Sequence, residues 1–516
     1  MKGYLKFLPR FVSKRIAKKL EQAERQREKE RLDSSIEEFL SKKIQDEEKV
    51  PMDDMVIVSL TSYPKRIPYI KYAIYTLLNQ NVKPYRVVLW LSKEEFPNKE
   101  KDLPQELLEF VKKGLEIKWC DQNLYSYKKL IPSLKEFSNS IIVTADDDIL
   151  YPKDWLEKLY RAYKKDPNFI HCHRAHRITF DKQNHVKPYM EWEHLIENKS
   201  TVPSFLNFQT GGGGVLYPKN CFFEDILRED KFMQLSPRAD DIWFWAMALL
   251  KGTKINVVEN NVNKIQSSFM DFDEVGHLFS KNEKNNDLQL NAVFESYPEL
   301  KERAVFNPSE YWEIRYKKSE VTKNQRRGKI GPSGAGSYNN LAEFKAEILN
   351  KFVSENNIID VIEWGSGDGN QLSLAQYPHY IGIDVSQTAI DGLKIKFADD
   401  KTKEFYEINE YFKQERKKAD LSISLDVIYH LIDDGIFDQY MQNLFESASK
   451  FVVIYSSNKE EFLAQHVKHR KFSDWVLKNV KGWRLMQVIP NRYPYDENNP
   501  DFTSFADFYI YTKEDK

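Results

Sequence analysis

Three consecutive aspartates, Asp146, Asp147 and Asp148, follow a run of apolar residues at positions 141–145. The run predicts a buried strand, so the aspartates should emerge at its carboxyl end, where open α/β sheets bind ligands. Closely spaced carboxylates can hold Mg²⁺ or Mn²⁺, and such an ion neutralises the diphosphate that departs when a sugar leaves its nucleotide. The alternative is a solvated turn whose aspartates cap a helix that begins near residues 152–155.

A glycine-rich turn is the second chemical pattern. Residues 358–362 predict a strand that leads into this turn, and residues 380–383 predict a second strand that ends at Asp384. The turn carries Glu363, Gly365, Gly367 and Gly369. Glycines let the backbone pass close to a cofactor, and Asp384 can accept the hydrogens of both ribose hydroxyls. A dinucleotide site would have glycine at position 370, where the chain has Asn370. The pattern therefore favours S-adenosylmethionine over NAD, and a purely structural turn is the other alternative.

Several segments of the first half resemble one family. They are residues 58–66 (Val-Ser-Leu-Thr-Ser-Tyr-Pro-Lys-Arg), 89–92, 127–130 and 144–148. Together, residues 55–300 resemble a bacterial glycosyltransferase of the GT-A fold, similar to family-2-type enzymes. The resemblance implies that Asp146 and Asp148 bind the divalent metal, and that the loop after the first strand embraces the nucleotide. The implied nucleotide-sugar contacts are Ser62, Arg66, Lys128, Lys129, Asp146, Gly212 and Gly213. The two lysines are otherwise ordinary surface charge.

A glycine run at 211–214 precedes a pair of acids, Asp240 and Asp241. Glycine lacks a Cβ, so a ligand can approach the backbone closely at the run. The acid pair resembles the motif that supplies the catalytic base in inverting glycosyltransferases, where a carboxylate takes the proton of the acceptor hydroxyl. Asp241 is favoured over Asp240 for this role. The alternatives are a flexible turn and a pair of aspartates that caps the apolar helix predicted at residues 242–250.

Residues 306–516 resemble the class I S-adenosylmethionine-dependent methyltransferases found in polysaccharide gene clusters. The segments that carry the resemblance are 334–339, 363–371 and 424–431. The implied cofactor contacts are Glu363, Gly365, Gly367, Gly369, Asp384, Asp400 (at the adenine) and Asp426. Methylation of a hydroxyl requires a nearby base, and His430, just beyond a strand predicted at 421–425, is the best-placed candidate. Its alternative role is packing at the start of a helix.

Short apolar runs that alternate with helical patterns predict the α/β fold class, with open, mainly parallel sheets. The predicted domains are a charged helical extension at 1–50, a GT-A glycosyltransferase domain at 52–303 and a Rossmann-like methyltransferase domain at 306–516. In the extension, Ser35 and Glu38 have the spacing of a capping box, which predicts the start of a second helix. The glycine-rich segment at 328–337 is either a linker or a mobile substrate loop.

The bulk composition limits the partners. The 77 basic and 78 acidic side chains nearly cancel, so no nucleic-acid partner is expected. Three widely spaced cysteines, Cys120, Cys172 and Cys221, support no disulfide framework and fit a reducing cytoplasm. His171, His173 and His176 raise the possibility of zinc, but no fourth ligand lies nearby, so structural or substrate contacts are favoured.

No apolar run approaches the roughly 20 residues of a spanning helix, and no signal peptide is evident. Residues 1–20 carry seven Lys or Arg and no acid among apolar side chains. Such a segment can lie on an anionic membrane surface, or it can form a solvated arm or a partner helix.

These patterns together predict a bifunctional cytoplasmic enzyme, peripheral at the inner membrane, that uses a divalent metal and S-adenosylmethionine. It would transfer a sugar from a nucleotide-sugar donor to a glycan or lipid-linked glycan, as in capsule or O-antigen assembly, and methylate that glycan. One alternative is that only one domain is catalytic and the other is a binding or assembly module. Another is that the methyl acceptor is a protein or a small metabolite.

Overall fold

The computed structural model describes most of the 516-residue chain. The described residues are 10–42, 50–51, 54–181, 183, 185–259, 266–267, 269, 285–322, 331–464 and 466–514. They form two compact units. The first extends to Val305, except for residues 180–186 and 199–202, which belong to the second unit together with Phe306–Lys516.

The N-terminal helix, α1 (Arg10–Ser41), is continuous. The hydroxyl of Ser35 donates to the carbonyl of Arg31 at 2.9 Å, a bond that lies inside the helix. The prediction that a second helix begins at Ser35 is therefore wrong, because the hydroxyl bonds back to the preceding turn instead of capping a new one. Near its end the helix docks on the first unit, where the ring of Phe39 meets that of Tyr75 at 5.5 Å. Residues 1–9 of the basic segment lie outside the described residues.

Seven strands form the main sheet of the first unit. They are β1 (Val56–Thr61), β2 (Arg86–Ser92), β3 (Leu115–Cys120), β4 (Ile141–Thr144), β5 (Ile170–Cys172), β6 (Val215–Tyr217) and β7 (Ile255–Val257). Their order is β7-β5-β6-β4-β1-β2-β3, and β6 runs antiparallel to both of its neighbours. The chain reverses its direction of travel between β1 and β4, so the crevice beyond their carboxyl ends is where such a sheet binds a ligand.

Helices and short strand pairs complete the first unit. The helices are α2 (Lys71–Leu78), α3 (Gln105–Val111), α4 (Ile131–Glu136), α5 (Trp155–Lys165), α6 (Glu229–Leu235), α7 (Asp240–Lys251), α8 (Asn286–Ser296) and α9 (Glu299–Arg303). The strand pairs are Val50–Pro51 with Val82–Lys83, Ala175–Arg177 with Asn207–Gln209, and Ile149–Leu150 with Gln266–Ser267. Helix α7 is almost wholly buried because its side chains are apolar nearly all round, and this holds its acidic first turn in place.

The second unit has its own seven-stranded sheet. Its strands are β8 (Asp360–Trp364), β9 (His379–Asp384), β10 (Lys403–Glu407), β11 (Ala419–Leu425), β12 (Ala448–Ser456), β13 (Trp483–Ile489) and β14 (Asp507–Lys513). The order is β10-β9-β8-β11-β12-β14-β13, with β14 antiparallel to both neighbours. Successive residues of β8, Val361 and Ile362, enter two different apolar clusters, so both faces of this sheet are covered.

The remaining helices of the second unit lie between these strands or precede them. They are α10 (Pro308–Thr322), α11 (Asn339–Glu355), α12 (Gln387–Lys396), α13 (Ile408–Phe412), α14 (Asp434–Glu446) and α15 (Phe472–Asn479). A small hairpin pairs Glu461–Ala464 with Val467–His469. The chain reverses between β8 and β11, as in other doubly wound sheets.

The prediction of two α/β domains with an N-terminal helix is confirmed, and both main sheets are mixed. The apolar runs identified in the sequence correspond to central strands, which are buried on both faces and therefore read as continuous apolar segments. Among the helices of the described ranges, none is long and apolar enough to cross a membrane.

Trp155, the first residue of α5, holds the glycine run of the first unit. Its indole N–H donates to the carbonyl of Gly213 at 2.8 Å. Gly214 has a φ of +89°, and a Cβ at this position would overlap the indole ring. The residue must therefore be glycine for two reasons, its backbone conformation and the space that Trp155 leaves.

We predict that Gly214→Ala destabilises the first unit more than Gly252→Ala does. Both glycines have positive φ, but a Cβ at Gly252 would meet no atom within 4 Å. The left-handed conformation alone costs roughly 1–2 kcal/mol for alanine, and crowding at Gly214 should add about 1–3 kcal/mol. Scanning calorimetry of the full-length variants measures the difference, and equal losses would contradict this account.

Two candidate functional sites

The aspartate triplet of the first unit is tied to the loop that follows β1. The hydroxyl of Ser62 donates to one carboxylate oxygen of Asp147 at 2.6 Å, and Arg66 Nη1 donates to the other at 2.7 Å. Arg66 Nη1 also lies 3.1 Å from Asp148 Oδ2. Ser62, Arg66 and Asp147 are buried. Asp147 thus binds the loop that follows β1, whereas the side chains of Asp146 and Asp148 are 28% and 20% exposed.

The two adjacent lysines separate. Lys129 Nζ lies 2.9 Å from Asp146 Oδ1 and 3.1 Å from Asp240 Oδ2. Burial alone would lower the pKa of Lys129, but the neighbouring carboxylates raise it well above its ordinary value. Lys128 turns towards Glu95 and the side-chain oxygen of Asn123, 2.9 Å away. Lys129 therefore belongs to the acidic cluster, and Lys128 is held by other partners.

Asp240 and Asp241 stand in the first turn of α7. The hydroxyl of Ser126 donates to Asp240 at 2.8 Å. The backbone N–H of Gly211 lies 3.1 Å from both carboxylate oxygens of Asp241. Burial, followed by the charge of Asp240, raises the pKa of Asp241 to about 7. Asp241 is thus balanced between its charged and neutral forms near neutral pH.

These groups line one cavity of about 820 Å³. Of the residues predicted from the sequence, the lining contains Ser62, Arg66, Lys128, Lys129, Asp146, Asp148, Gly212, Asp240 and Asp241. Gly213 is not in the lining, because it packs against Arg174, which a Cβ there would overlap.

Arg174 and Arg238 also line this cavity, and neither was predicted from the sequence. The Nε of Arg174 is buried and has no hydrogen-bond partner among the described residues. The guanidinium of Arg238 lies 3.9 Å from the centre of the Tyr125 ring. Arg174 follows β5, which runs in the same direction as β4, so it emerges at the same edge of the sheet as the aspartates. Its position after a strand was the signal that could have identified it.

The cavity fits a divalent ion that is shared with a ligand. Within the described ranges, no group of three or more His, Cys, Asp or Glu side chains is arranged to hold a metal. Mg²⁺, however, is usually held by one or two carboxylates together with substrate phosphates. Asp146 and Asp148 offer two partly exposed carboxylates, and burial and the two neighbouring aspartates raise the pKa of Asp148 to about 7. A cation there would relieve this repulsion, and metal binding by these two residues stays a prediction.

The three histidines considered as zinc ligands, His171, His173 and His176, make structural hydrogen bonds. His171 Nε2 bonds to the carbonyl of Asp166 and His173 Nε2 to that of Trp155, both at 2.9 Å. His176 Nδ1 accepts from the backbone N–H of Leu195 at 3.0 Å.

The second unit has a cavity of about 460 Å³ at the carboxyl ends of β8, β9 and β11. Gly365 and Gly367 have φ values of +88° and +61°, and a Cβ at either would overlap a neighbouring side chain. The backbone N–H of Gly367 donates to Asp384 Oδ2 at 2.9 Å, and that of Ser386 donates to Asp384 Oδ1 at 3.0 Å. Burial raises the pKa of Asp384 to about 6. The turn and this aspartate, which the sequence predicted as one pattern, meet in the cavity, where Gly369 also lies.

Glu363 and Asp426 line the same cavity but have partners of their own. Glu363 accepts from the hydroxyl of Tyr380 at 2.6 Å, and burial raises its pKa to about 7. Asp426 accepts from Lys345 Nζ at 2.7 Å and from the hydroxyl of Tyr429 at 2.9 Å. Its φ of +60° is uncommon for a residue with a side chain, and such backbone positions concentrate at functional sites.

Asp400 does not line the cavity, which corrects the placement suggested by the sequence. It precedes β10 and so lies at the amino edge of the sheet, opposite the cavity. Hydrogen bonds from Lys403 and Thr402 hold its pKa at about 2. The residues that do line the cavity after β10 are apolar, Ile408 and Phe412. Neither was predicted from the sequence, in which no strand was identified at residues 403–407.

His430 lines the cavity and is held in one orientation. Its Nδ1 lies 2.7 Å from the carbonyl oxygen of His466, and its ring packs edge-on against Trp312. A carbonyl only accepts, so Nδ1 must carry the proton and neutral Nε2 keeps a lone pair. Burial lowers the pKa of His430 to about 4, so the ring is neutral at neutral pH.

Comparisons with known proteins bear on both units. Residues 58–218 match the family described as "Glycosyl transferase family 2", so the chain contains a glycosyltransferase family 2 domain. No curated protein sequence matches the chain.

Among solved structures, the chain is similar to the magnesium protoporphyrin IX methyltransferase ChlM of Synechocystis PCC 6803 with bound SAM (13% identity, 41% of this chain and 99% of that one, TM-score 0.31). It is also similar to the N-methyltransferase NodS of Bradyrhizobium japonicum WM9 with S-adenosyl-L-homocysteine (14% identity, 40% and 99%, TM-score 0.31). The methyltransferase-like fold of the second unit is evident from its own strand order and glycine turn.

We predict that Asp241→Asn raises the melting temperature of the first unit at pH 8. Between the ordinary pKa near 3.8 and the folded value of about 7, the folded protein retains a proton that the unfolded chain loses. Stability therefore rises as the pH falls through this window, and the buried charge is unfavourable above it. We expect a gain of roughly 2–4 °C per kcal/mol recovered. The gain should shrink at pH 5, where the unfolded carboxyl is still mostly charged, and vanish only below the ordinary pKa near 3.8.

Calorimetry at pH 8 and pH 5 measures this effect, with Asp121→Asn as the control. Asp121 is exposed, and a hydrogen bond from Lys93 lowers its pKa, so its replacement should give no gain at either pH. A destabilised Asp241→Asn protein at pH 8 would show that the charge of Asp241 is well compensated.

Proposed function

We propose that the chain is a bifunctional transferase that adds a sugar from a nucleotide-sugar donor to a surface glycan and methylates that glycan. One observation carries the proposal: each unit has its own cavity beyond the carboxyl ends of its central strands, and each cavity is lined by the matching chemical pattern. The glycosyltransferase family 2 domain supports the first activity. The glycine turn with Asp384 supports the second.

In the first cavity, cations suited to a diphosphate adjoin carboxylates suited to acid–base work. The buried Nε of Arg174 has no hydrogen-bond partner in the described part of the chain, and a ligand oxygen would satisfy it. Asp241, whose pKa is near 7, can take the proton of an acceptor hydroxyl at neutral pH. A divalent ion at Asp146 and Asp148 would supply Lewis-acid stabilisation of the leaving diphosphate.

In the second cavity, the residues divide between cofactor and acceptor. The glycines permit close approach of a nucleoside, and Asp384 can accept from its ribose hydroxyls. The apolar side chains of Ile408 and Phe412 form a wall against which the nucleobase of the cofactor could pack. S-adenosylmethionine, when bound, would supply an electrophilic methyl group. His430 Nε2 would then accept the proton of the acceptor hydroxyl, while its Nδ1–H stays on the carbonyl of His466.

The proposed setting is the cytoplasmic face of the inner membrane, where capsule or O-antigen glycans are assembled. The basic residues of the segment 1–20 would attract anionic lipid and keep the enzyme near a lipid-linked acceptor. Carrying both activities on one chain raises the effective concentration of the second site for the product of the first, if the linker geometry allows.

We predict that Asp384→Asn abolishes binding of S-adenosylhomocysteine, and that Asp148→Asn abolishes metal-dependent binding of a nucleotide sugar. Each change should leave the other activity intact, because the two residues line separate cavities. Calorimetric titration of S-adenosylhomocysteine, and of UDP- and GDP-sugars with and without Mn²⁺, measures both.

Asp400→Asn is the matched control for Asp384→Asn, since Asp400 lies at the opposite edge of the same sheet. It should leave the affinity for S-adenosylhomocysteine unchanged. If the unsubstituted protein gave no signal in one of the two series, that domain would be a binding or assembly module. Methyl transfer to a protein or small molecule but not to a glycan would favour the other acceptor classes.

We predict that His430→Gln lowers kcat for methyl transfer by about 10²–10⁴-fold and leaves S-adenosylhomocysteine affinity within about threefold of the unsubstituted protein. His379→Gln is the control, because His379 is the first residue of β9 and lies at the edge of the sheet opposite the cavity. Because burial lowers the pKa of His430 to about 4, kcat should not fall between pH 8 and pH 6 through its protonation. A kcat that His430→Gln leaves unchanged would exclude a role as base.

A further inference from the structure

Three exposed aromatic side chains lie on the loop between β13 and β14. Tyr495, Phe502 and Phe505 are 43%, 45% and 37% exposed. The rings of Tyr495 and Phe505 stack with their centres 3.8 Å apart. Lys459 Nζ lies 3.9 Å from the centre of the Phe505 ring. Both neighbours cannot occupy one face of Phe505 at these distances, so Phe505 is sandwiched between them. Tyr495 stacks on Phe505 with one face, is 43% exposed, and has its outer face on the side away from Phe505.

Hydrogen bonds within the loop and to α11 hold this arrangement. The hydroxyl of Thr503 donates to the carbonyl of Asn499 at 2.8 Å and accepts from the N–H of Asp496 at 3.1 Å. Arg492 forms two hydrogen bonds with Glu347 of α11, at 2.8 and 2.9 Å. An exposed aromatic ring fixed in advance binds a ligand with little loss of conformational entropy. Such preorganisation distinguishes this ring from an apolar side chain that is merely exposed.

A chain of contacts leads from Phe505 to the cavity of the second unit. The ring of His469 lies 5.5 Å from that of Phe505 and 5.7 Å from that of Tyr429, measured between ring centres. The hydroxyl of Tyr429 donates to Asp426, which lines the cavity. The aromatic pair and the cavity therefore share the carboxyl edge of the second sheet, at a separation that an oligosaccharide can span.

We propose that the outer face of Tyr495 binds a pyranose ring of the acceptor, several atoms away from the hydroxyl that is methylated. The C–H face of a pyranose is apolar and flat, so it packs on an aromatic ring, and its hydroxyls need polar partners at the rim. Asp496, Glu497 and Asp501 lie on the same loop and supply hydrogen-bond acceptors. Their negative charge disfavours an acidic sugar. The occupant is therefore an uncharged sugar unit of a glycan, and this inference rests on the proposed methylation of a glycan.

The test uses the full-length protein on an array of printed bacterial surface oligosaccharides. We expect binding to neutral glycans, at least a tenfold weakening by Tyr495→Ala, and retention by Tyr495→Phe, which keeps the ring. Phe505→Leu should also weaken binding, because it removes the support behind Tyr495. Leu477→Ala, at a residue of α15 that is 88% exposed, is the control and should change nothing.

Titration of S-adenosylhomocysteine into the same samples separates this inference from the proposed function. Unchanged cofactor affinity in Tyr495→Ala, together with lost glycan binding, supports the inference. No glycan binding by the unsubstituted protein, or binding that Tyr495→Ala leaves intact, overturns it even if cofactor binds. Glycan binding that depends on Tyr495 without any cofactor binding would support the surface and contradict the methylation.

Discussion

The buried ammonium of Lys129 is the interaction on which the first site depends. It lies between Asp146, after β4, and Asp240, at the start of α7, which come from distant parts of the chain. Without it, these carboxylates and the buried Asp241 would repel one another. Removing one partner of a buried charge cluster typically costs about 3–5 kcal/mol. The position of Lys129 also explains why residue 211 is glycine, because a Cβ at Gly211 would overlap the Lys129 ammonium.

The second site is built on a different principle. Its central acid, Asp384, is satisfied by backbone N–H groups of the glycine turn and of the start of α12, so no side-chain cation is required there. Apolar side chains such as Ile408 and Phe412 form much of the remaining wall. The first cavity thus has the charged lining that we propose for a diphosphate, and the second has the apolar and backbone lining that we propose for a nucleoside. The two proposed activities would account for the two unrelated patterns in the sequence.

The local sequence pattern was sufficient to predict the location of a residue that directly follows a buried strand. Asp146 to Asp148 and Asp384 were predicted at strand ends because apolar runs mark buried strands, and their carboxyl ends share one edge of each sheet. Asp400 was predicted to lie beside the cofactor, but it precedes a strand instead of following one and therefore lies at the amino edge of the sheet. The capping-box spacing at Ser35 also misled, since the same hydroxyl can bond backwards within a continuous helix.

The sequence by itself determined the two α/β domains, the strands and the polar residues at their ends, because these depend on periodicity and on neighbours along the chain. Only the tertiary structure decided how those residues pair. It turned Lys128 to Asn123 and Lys129 to Asp146 and Asp240. It also paired Asp147, which lines the cavity, with Ser62 and Arg66 of the loop after β1. It also placed Arg174 and the ring of Tyr495, because contacts between distant segments depend on packing that no local pattern encodes.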